Sequence, residues 1–322
     1  MLDLRSGVSR AAHDPERGAG CRPGAVRAGD SCAQPDRVVL GTYLGIVYRS
    51  TFPAHTGRVF LDSPAPPWTE LDRHILESAA AQERNFARMA AWLARHDATY
   101  HLGSTARKVR AEVLRLVRAY DRNPKTYSDF PSPIDGSTIA DLAGRAGTDW
   151  PRAGQALNEL RTATGSTVPP TVKDLFGARR PAPGTPEATN FTMNWAVSCN
   201  EDGSRSSFEA SWRDYQQLQK TSPVTGRRWG PPARCAGWSL PVQHPTLRHS
   251  DGSLILAAHL YENMSVYAWA LETRKAVGGT VYTIPDDAHV ATTKVPRCAA
   301  EVVTYFVSGA RPRPCPGLQP PA

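Results

Sequence analysis

A chain of 322 residues can hold one large domain or two modest ones around a buried core. Its formal charge of +8 comes from 38 basic and 30 acidic residues. The basic residues are mostly Arg scattered singly, which describes a solvated surface better than a nucleic-acid footprint. No RNP pattern, zinc finger or basic heptad is present. No apolar run is long enough to span a bilayer, and the first residues lack the hydrophobic segment of an export signal. The expected partners therefore include neither nucleic acid nor membrane, and nothing in the pattern asks for a metal or an organic cofactor.

Residues 1–36 contain no Ile, Phe, Tyr or Trp and show no period of 2 or 3.6, so no face of this stretch can be buried. Order is expected from Arg37. A β-branched run, "RVVL", reads as a short strand, "GTYLGIVYRST" as a helix from about Thr42 to Thr51, and "GRVFLDS" as a second strand from Gly57 to Ser63. Together these predict one βαβ unit over residues 37–63.

Residues 64–245 read as an insertion. Apolar residues spaced by three and four, such as Leu71, Ile75, Phe86, Met89 and Trp92, predict a long helix from Thr69 to about His96. Helical stretches near Ala106 to Tyr120 and Ala153 to Thr162 follow. A long Pro- and Gly-rich arm, "VPPTVKDLFGARRPAPGTPEATN", reads as irregular and leads into a polar segment dotted with aromatics. Alternation of strand and helix resumes over residues 246–322: strand "SLILAAHL", helix "SVYAWALETRKAVGG", strand "TVYTIPDD" and helix "PRCAAEVVTYFVSG". A sheet that starts before a helical block and finishes after it describes an α/β core roofed by an inserted lid.

Cys199 and Cys235 bracket one polar segment and Cys298 and Cys315 another, without the close C-x-x-C spacing of zinc or redox sites. They read as two structural disulfides of an oxidising compartment, with free thiols as the alternative and the connectivity open. Cysteines of this kind without an export signal predict an extracellular protein whose beginning is missing from the chain as written.

Four landmarks stand in a fixed order: "LGTYLGIVYRSTFP…GRVFLDS", "VSCNE…CAGWS", "LILAAHLYENMSVYAWALETRKAVGGTVYTIPDDAH" and "C…VVTYFVSGARPRPC". Together they resemble the tripeptidyl aminopeptidase-like α/β-hydrolases of actinobacteria, over about Arg37 to Cys315. The resemblance implies a partial α/β-hydrolase fold, holding the C-terminal half of the parallel sheet, with a helical lid and the family's C-terminal region. It also implies the chemistry of a secreted serine exopeptidase that cleaves short peptides from free N-termini, and hence a peptide partner.

In that family the first landmark reads Gly-x-Ser-Tyr-Gly-Thr-Tyr-Leu-Gly, with the nucleophile on a strained turn between strand and helix. Gly41, Thr42, Tyr43, Leu44 and Gly45 match, but Val39 stands at the serine, Leu40 at the tyrosine and Arg37 at the first glycine. Valine has no oxygen with which to attack a carbonyl, so an acyl-enzyme cannot form there. Thr42, three residues on, lies inside the expected helix.

The Leu40 amide would be one oxyanion donor; the other belongs to an early strand that the chain as written lacks. Glu262 falls where the family carries its triad acid, and His289, after two acidic residues at the end of the last strand, where it carries the general base. The other eight histidines are assigned to lid, loop or leader positions.

Degenerate codons for Gln34 to Gly41, read one nucleotide later, can spell Asn-Leu-Ile-Gly-x-Ser-Tyr-Gly. Residues 1–36 are accordingly expected to be an out-of-frame leader. The resulting expectation is a peptidase frame that is inactive as written. Two other readings stand beside it: a non-catalytic remnant or peptide-binding pseudoenzyme, and an esterase or proline-specific aminopeptidase of the same fold. On the first lid helix, Glu70, Asp72 and Glu77 are candidates to pair with a substrate α-ammonium group, although surface carboxylates of this kind are ordinarily just solvated.

Overall fold

The computed structural model describes residues 38–177, 191–204, 206–230, 235 and 237–322. The leader at 1–36, Arg37 and part of the Pro-rich arm lie outside the described residues.

Three parallel strands, β1 (Val59–Asp62), β2 (Leu254–His259) and β3 (Thr280–Ile284), form a sheet in that order. The register aligns Val59 with Leu254 and Ile255 with Thr280. Central β2 is buried along its whole length, as a near-continuous apolar run in a parallel sheet should be.

Its side chains alternate between two layers. Leu254 and Leu256 meet Ile46 of α1 (Val38–Thr51) and Val277 of α10 (Tyr267–Val277) on one face. Ile255 and Ala257 meet Cys298 and Tyr305 of α11 (Pro296–Ser308) on the other. Gly45 lets α1 press onto the sheet, since a Cβ there would lie 2.9 Å from Leu61 Cδ2. The buried Arg49 clamps the end of α1 by donating to the carbonyls of Val277 (2.8 Å), Ser250 (2.6 Å) and Gly252 (2.5 Å).

Between β1 and β2 runs the helical insertion. It comprises α2 (Leu71–Arg95), α3 (Asp97–Tyr100), α4 (Ala106–Arg122), α5 (Gly136–Ala143), α6 (Trp150–Thr162), α7 (Pro170–Phe176), α8 (Phe191–Glu201) and α9 (Phe208–Thr221). The predicted three-four spacing on α2 buries Ile75, Phe86, Met89, Trp92 and Leu93. These last four join Val113, Leu116, Ile139, Leu142 and Leu157 in one apolar core. Thr105 and Asp135 cap α4 and α5 by accepting backbone N–H groups, which satisfies donors the first turns would leave orphaned.

Two expectations need correction. Val38–Leu40, expected in a strand, form the first turn of α1, so the observed unit is helix–strand and Gly41 lies within the helix instead of at an elbow. A strand takes its hydrogen bonds from neighbours, whereas a segment continuous with a helix satisfies them locally. The Pro- and Gly-rich arm, expected to be irregular, holds the short helix α7, and the polar stretch after it contains α8 and α9.

The cysteines pair as Cys199–Cys235 and Cys298–Cys315, each with Cα atoms 5.3 Å apart. The first ties α8 to the segment beyond α9, and the second ties α11 to the C-terminal tail. Among the described residues no helix is long and apolar enough to cross a membrane.

Candidate acid–base site at the strand ends

Parallel strands deliver their C-terminal ends to one edge of the sheet, and the loops that leave that edge are where such folds place chemistry. Here Asp62 closes β1, His259 closes β2, and the loops after β2 and β3 carry Glu262 and the Asp286–His289 stretch. Sequence separations of up to 230 residues collapse into one polar cluster.

Glu262 and His289 are brought together: the imidazole Nδ1 hydrogen-bonds to Glu262 Oε1. The Glu262 side chain is 1% exposed and that of His289 17%. Ser265 N–H also donates to Glu262 Oε1 (3.0 Å), and Ser63 Oγ donates to Oε2 (2.9 Å). Burial pushes the Glu262 carboxyl above its ordinary range, and the hydrogen bond and charge of His289, the charge of His259 and the Ser63 hydroxyl pull it back.

With Nδ1 committed to the carboxylate, Nε2 is left to accept a proton, the arrangement a general base requires. Among the described residues no hydroxyl or thiol is bonded to Nε2.

Ser63 is the hydroxyl nearest in connectivity to this pair, and nothing in the sequence pattern singled it out. It is fully buried, has φ 56°, and receives Val290 N–H (3.0 Å) while donating to Glu262. Its oxygen is occupied by the acid and by a backbone amide, so it props the Glu262 carboxylate and does not stand as a nucleophile. Left-handed backbone at a non-glycine residue costs energy, and the two hydrogen bonds hold it there.

His259 lies inside the expected strand "SLILAAHL" and carries no site role in the sequence pattern; it is a fully buried residue of β2. Its Nδ1 faces Asp286 Oδ1, and its Nε2 faces Asp62 Oδ1 at 2.9 Å. Burial alone would lower its pKa, but the hydrogen bonds to Asp286 and Asp62 win and push it up to about 10. A histidine inside an apolar run looks like one more strand residue, and its carboxylate partners sit on two other elements.

Val39 and Leu40 lie in the first turn of α1. N–H groups of a first turn have no intrahelical partner, which leaves the Leu40 amide in a class of potential donors. Of the lid carboxylates, Glu77 is held by Arg73 (2.7 Å) and by Trp269 Nε1, and Asp72 by Ser206 Oγ. Glu70 Oε2 is buried with no hydrogen-bond partner among the described residues. The neighbouring Glu201 carboxyl is raised to about 7 by burial, against the pull of the Tyr43 hydroxyl.

The helical insertion is fastened beside His289: Asp287 accepts from Asn85 Nδ2 of α2 (2.7 Å) and from Gly147 N–H (2.9 Å), and Asn263 Nδ2 donates to Gly144 O (3.3 Å). Among the described residues no cluster of three or more His, Cys, Asp or Glu has the arrangement to hold a metal ion. A cavity of about 330 Å³ opens at the opposite edge of the sheet, where Leu254 and Thr280 begin their strands, so it is not part of this site.

Helices on both faces of a small parallel sheet, with a buried carboxylate paired to a partly buried imidazole on its C-terminal edge, define a mixed α/β protein with acid–base potential. The chain is similar to two curated proteins, the tripeptidyl aminopeptidases of Streptomyces lividans and Streptomyces coelicolor, with 25% identity in each case over 84% of this chain. The chain spans about half the length of these relatives, 52% and 51% respectively. No family model matches it. This distant likeness points toward hydrolase and peptidase chemistry in general.

Proposed function

We propose that the chain is the acid–base and lid portion of a tripeptidyl aminopeptidase-like α/β-hydrolase, in which Glu262 orients His289 as the base and Val39 marks the position of the absent nucleophile. The observation that carries this reading is the Glu262–His289 hydrogen bond at the ends of adjacent parallel strands, in the acid-then-histidine order of α/β-hydrolases. The substrate class is a short peptide with a free N-terminus, roofed by the helical insertion, with Glu70 at the N-cap of its first helix available to the α-ammonium group. The paired cysteines fit an extracellular setting.

Histidine can only take a proton that a nucleophile offers, and valine offers none. The chain therefore does not cleave peptides by acyl transfer as it stands. Purified protein incubated with a tripeptide carrying a C-terminal chromogenic amine should release the amine at the rate of the protein-free control, and His289→Ala should leave that rate unchanged. Release above the control that disappears in His289→Ala would show that another group has taken the nucleophile's place and would overturn the assignment at Val39.

A further inference from the structure

We propose that His259 is a positioning residue: clamped between Asp62 and Asp286, it is a permanent imidazolium that keeps the buried Glu262 ionised, so that Glu262 can fix the tautomer of His289. The inference rests on the Glu262–His289 reading above and deepens it.

A neutral imidazole has one N–H donor and one acceptor nitrogen, whereas an ionised carboxylate only accepts. Both ring nitrogens of His259 face carboxylate oxygens. A neutral ring would therefore require one of the two aspartates to be protonated.

Both aspartates also receive hydrogen bonds from other donors, and hydrogen bonds donated to a carboxylate favour its charged form. Asp62 Oδ1 also accepts from Thr292 Oγ1 (2.9 Å), and its Oδ2 accepts from Thr292 N–H (3.0 Å). Asp286 Oδ2 accepts from Leu318 N–H (2.7 Å). Imidazole is the stronger base of the two kinds of group, and donors other than the ring support the carboxylate charge, so the shared protons sit on the ring and both nitrogens of His259 carry one. The tail donor is itself held in place by the Cys298–Cys315 bridge three residues before it.

An imidazolium between two carboxylates has consequences one turn of chain away. Glu262 follows His259 by three residues, and its N–H reaches back to His259 O (3.4 Å). Its carboxylate is desolvated, and a desolvated carboxylate tends to take up a proton. A protonated Glu262 would donate to His289 Nδ1, drive the imidazole proton to Nε2 and so remove the lone pair a base needs.

The groups facing His259 are Asp62 from β1, Asp286 from beyond β3 and Glu262 from beyond β2. Asp62 and Asp286 hold the charge where it is; Glu262 is the group that draws on it, and the charge of His259 is among the influences that lower the Glu262 pKa.

The test reads protonation directly in the full chain by nitrogen and carbon NMR of labelled histidine and glutamate side chains. In the unmodified protein at pH 7.5, both His259 nitrogens should give protonated-type shifts, and neutral His289 should carry its proton on Nδ1. In His259→Gln, which keeps a hydrogen-bonding side chain but no charge, the Glu262 carboxyl should titrate at least one pH unit higher. A singly protonated His259 in the unmodified protein, which needs no variant to fold, would overturn the proposal. So would an unshifted Glu262 midpoint in a folded His259→Gln. A neutral His289 with its proton on Nε2 in the unmodified protein would instead sink the acid–base pair itself, and the inference with it.

Discussion

The helical insertion and the strand-end edge of the sheet bury side chains for opposite reasons. In the insertion, Phe86, Met89, Leu93, Ile139, Leu142 and Leu157 close on one another, and each removes apolar area from water at about 25 cal/mol per Å². At the sheet edge, Asp286, Glu262 and His259 are as deeply buried as those leucines. Burial there is a cost, offset only where each polar atom finds a partner. One region is stable because its side chains are interchangeable in kind; the other depends on particular atoms meeting particular atoms. The proposed chemistry belongs to the second region.

The sharpest way to break this comparison is to damage the insertion alone. Leu157→Ala removes a fully buried side chain from the apolar core and should cost about 2–5 kcal/mol in denaturant unfolding. The NMR signature of His289 in the molecules that remain folded should not change. A disturbed His289 would mean that the two regions are not separable.

A smaller effect should belong to the sheet edge alone. Because the pKa of His259 in the folded protein, about 10, stands above the ordinary imidazole value of 6.5, its contribution to stability is complete below about pH 6.5. That contribution is lost as the pH rises through about 10. Within that window its share of the loss should approach about 1.4 kcal/mol per pH unit. Unfolding curves at pH 7, 8 and 9 check this against His259→Gln, which should lack the added slope.

The smallest effect is expected on the solvated face of the insertion. Arg115 on α4 pairs with Glu112 at i,i+3 while half exposed. Arg115→Ala should cost no more than about 0.5 kcal/mol. A loss of several times that size would mean that the face packs against something.

Much of the architecture is legible from periodicity. Three-four spacing marks α2, the continuous apolar run marks β2, and the glycine pair Gly278–Gly279 marks the turn into β3. Both of those glycines have positive φ, and a Cβ at Gly279 would sit 2.9 Å from Leu254 O. That His289 and Glu262 both follow strands was legible because position after a strand is a one-dimensional fact, and the fold brings the two into contact.

Other parts of the site were not legible. Ser63 takes its role from a left-handed backbone and from a partner 199 residues away. His259 takes its charge from two aspartates on other elements, which no local pattern encodes. Val38–Leu40 misled because β-branched composition describes what a strand prefers, while the helix that follows decided the outcome.

The central claim is that the chain carries a paired acid and base with no nucleophile at Nε2. A fluorophosphonate that labels activated serines tests it most directly, by intact mass and peptide mapping. The account predicts that the mass of the protein does not change after treatment. A single stoichiometric adduct, formed in the unmodified chain and lost in His289→Ala, would contradict it.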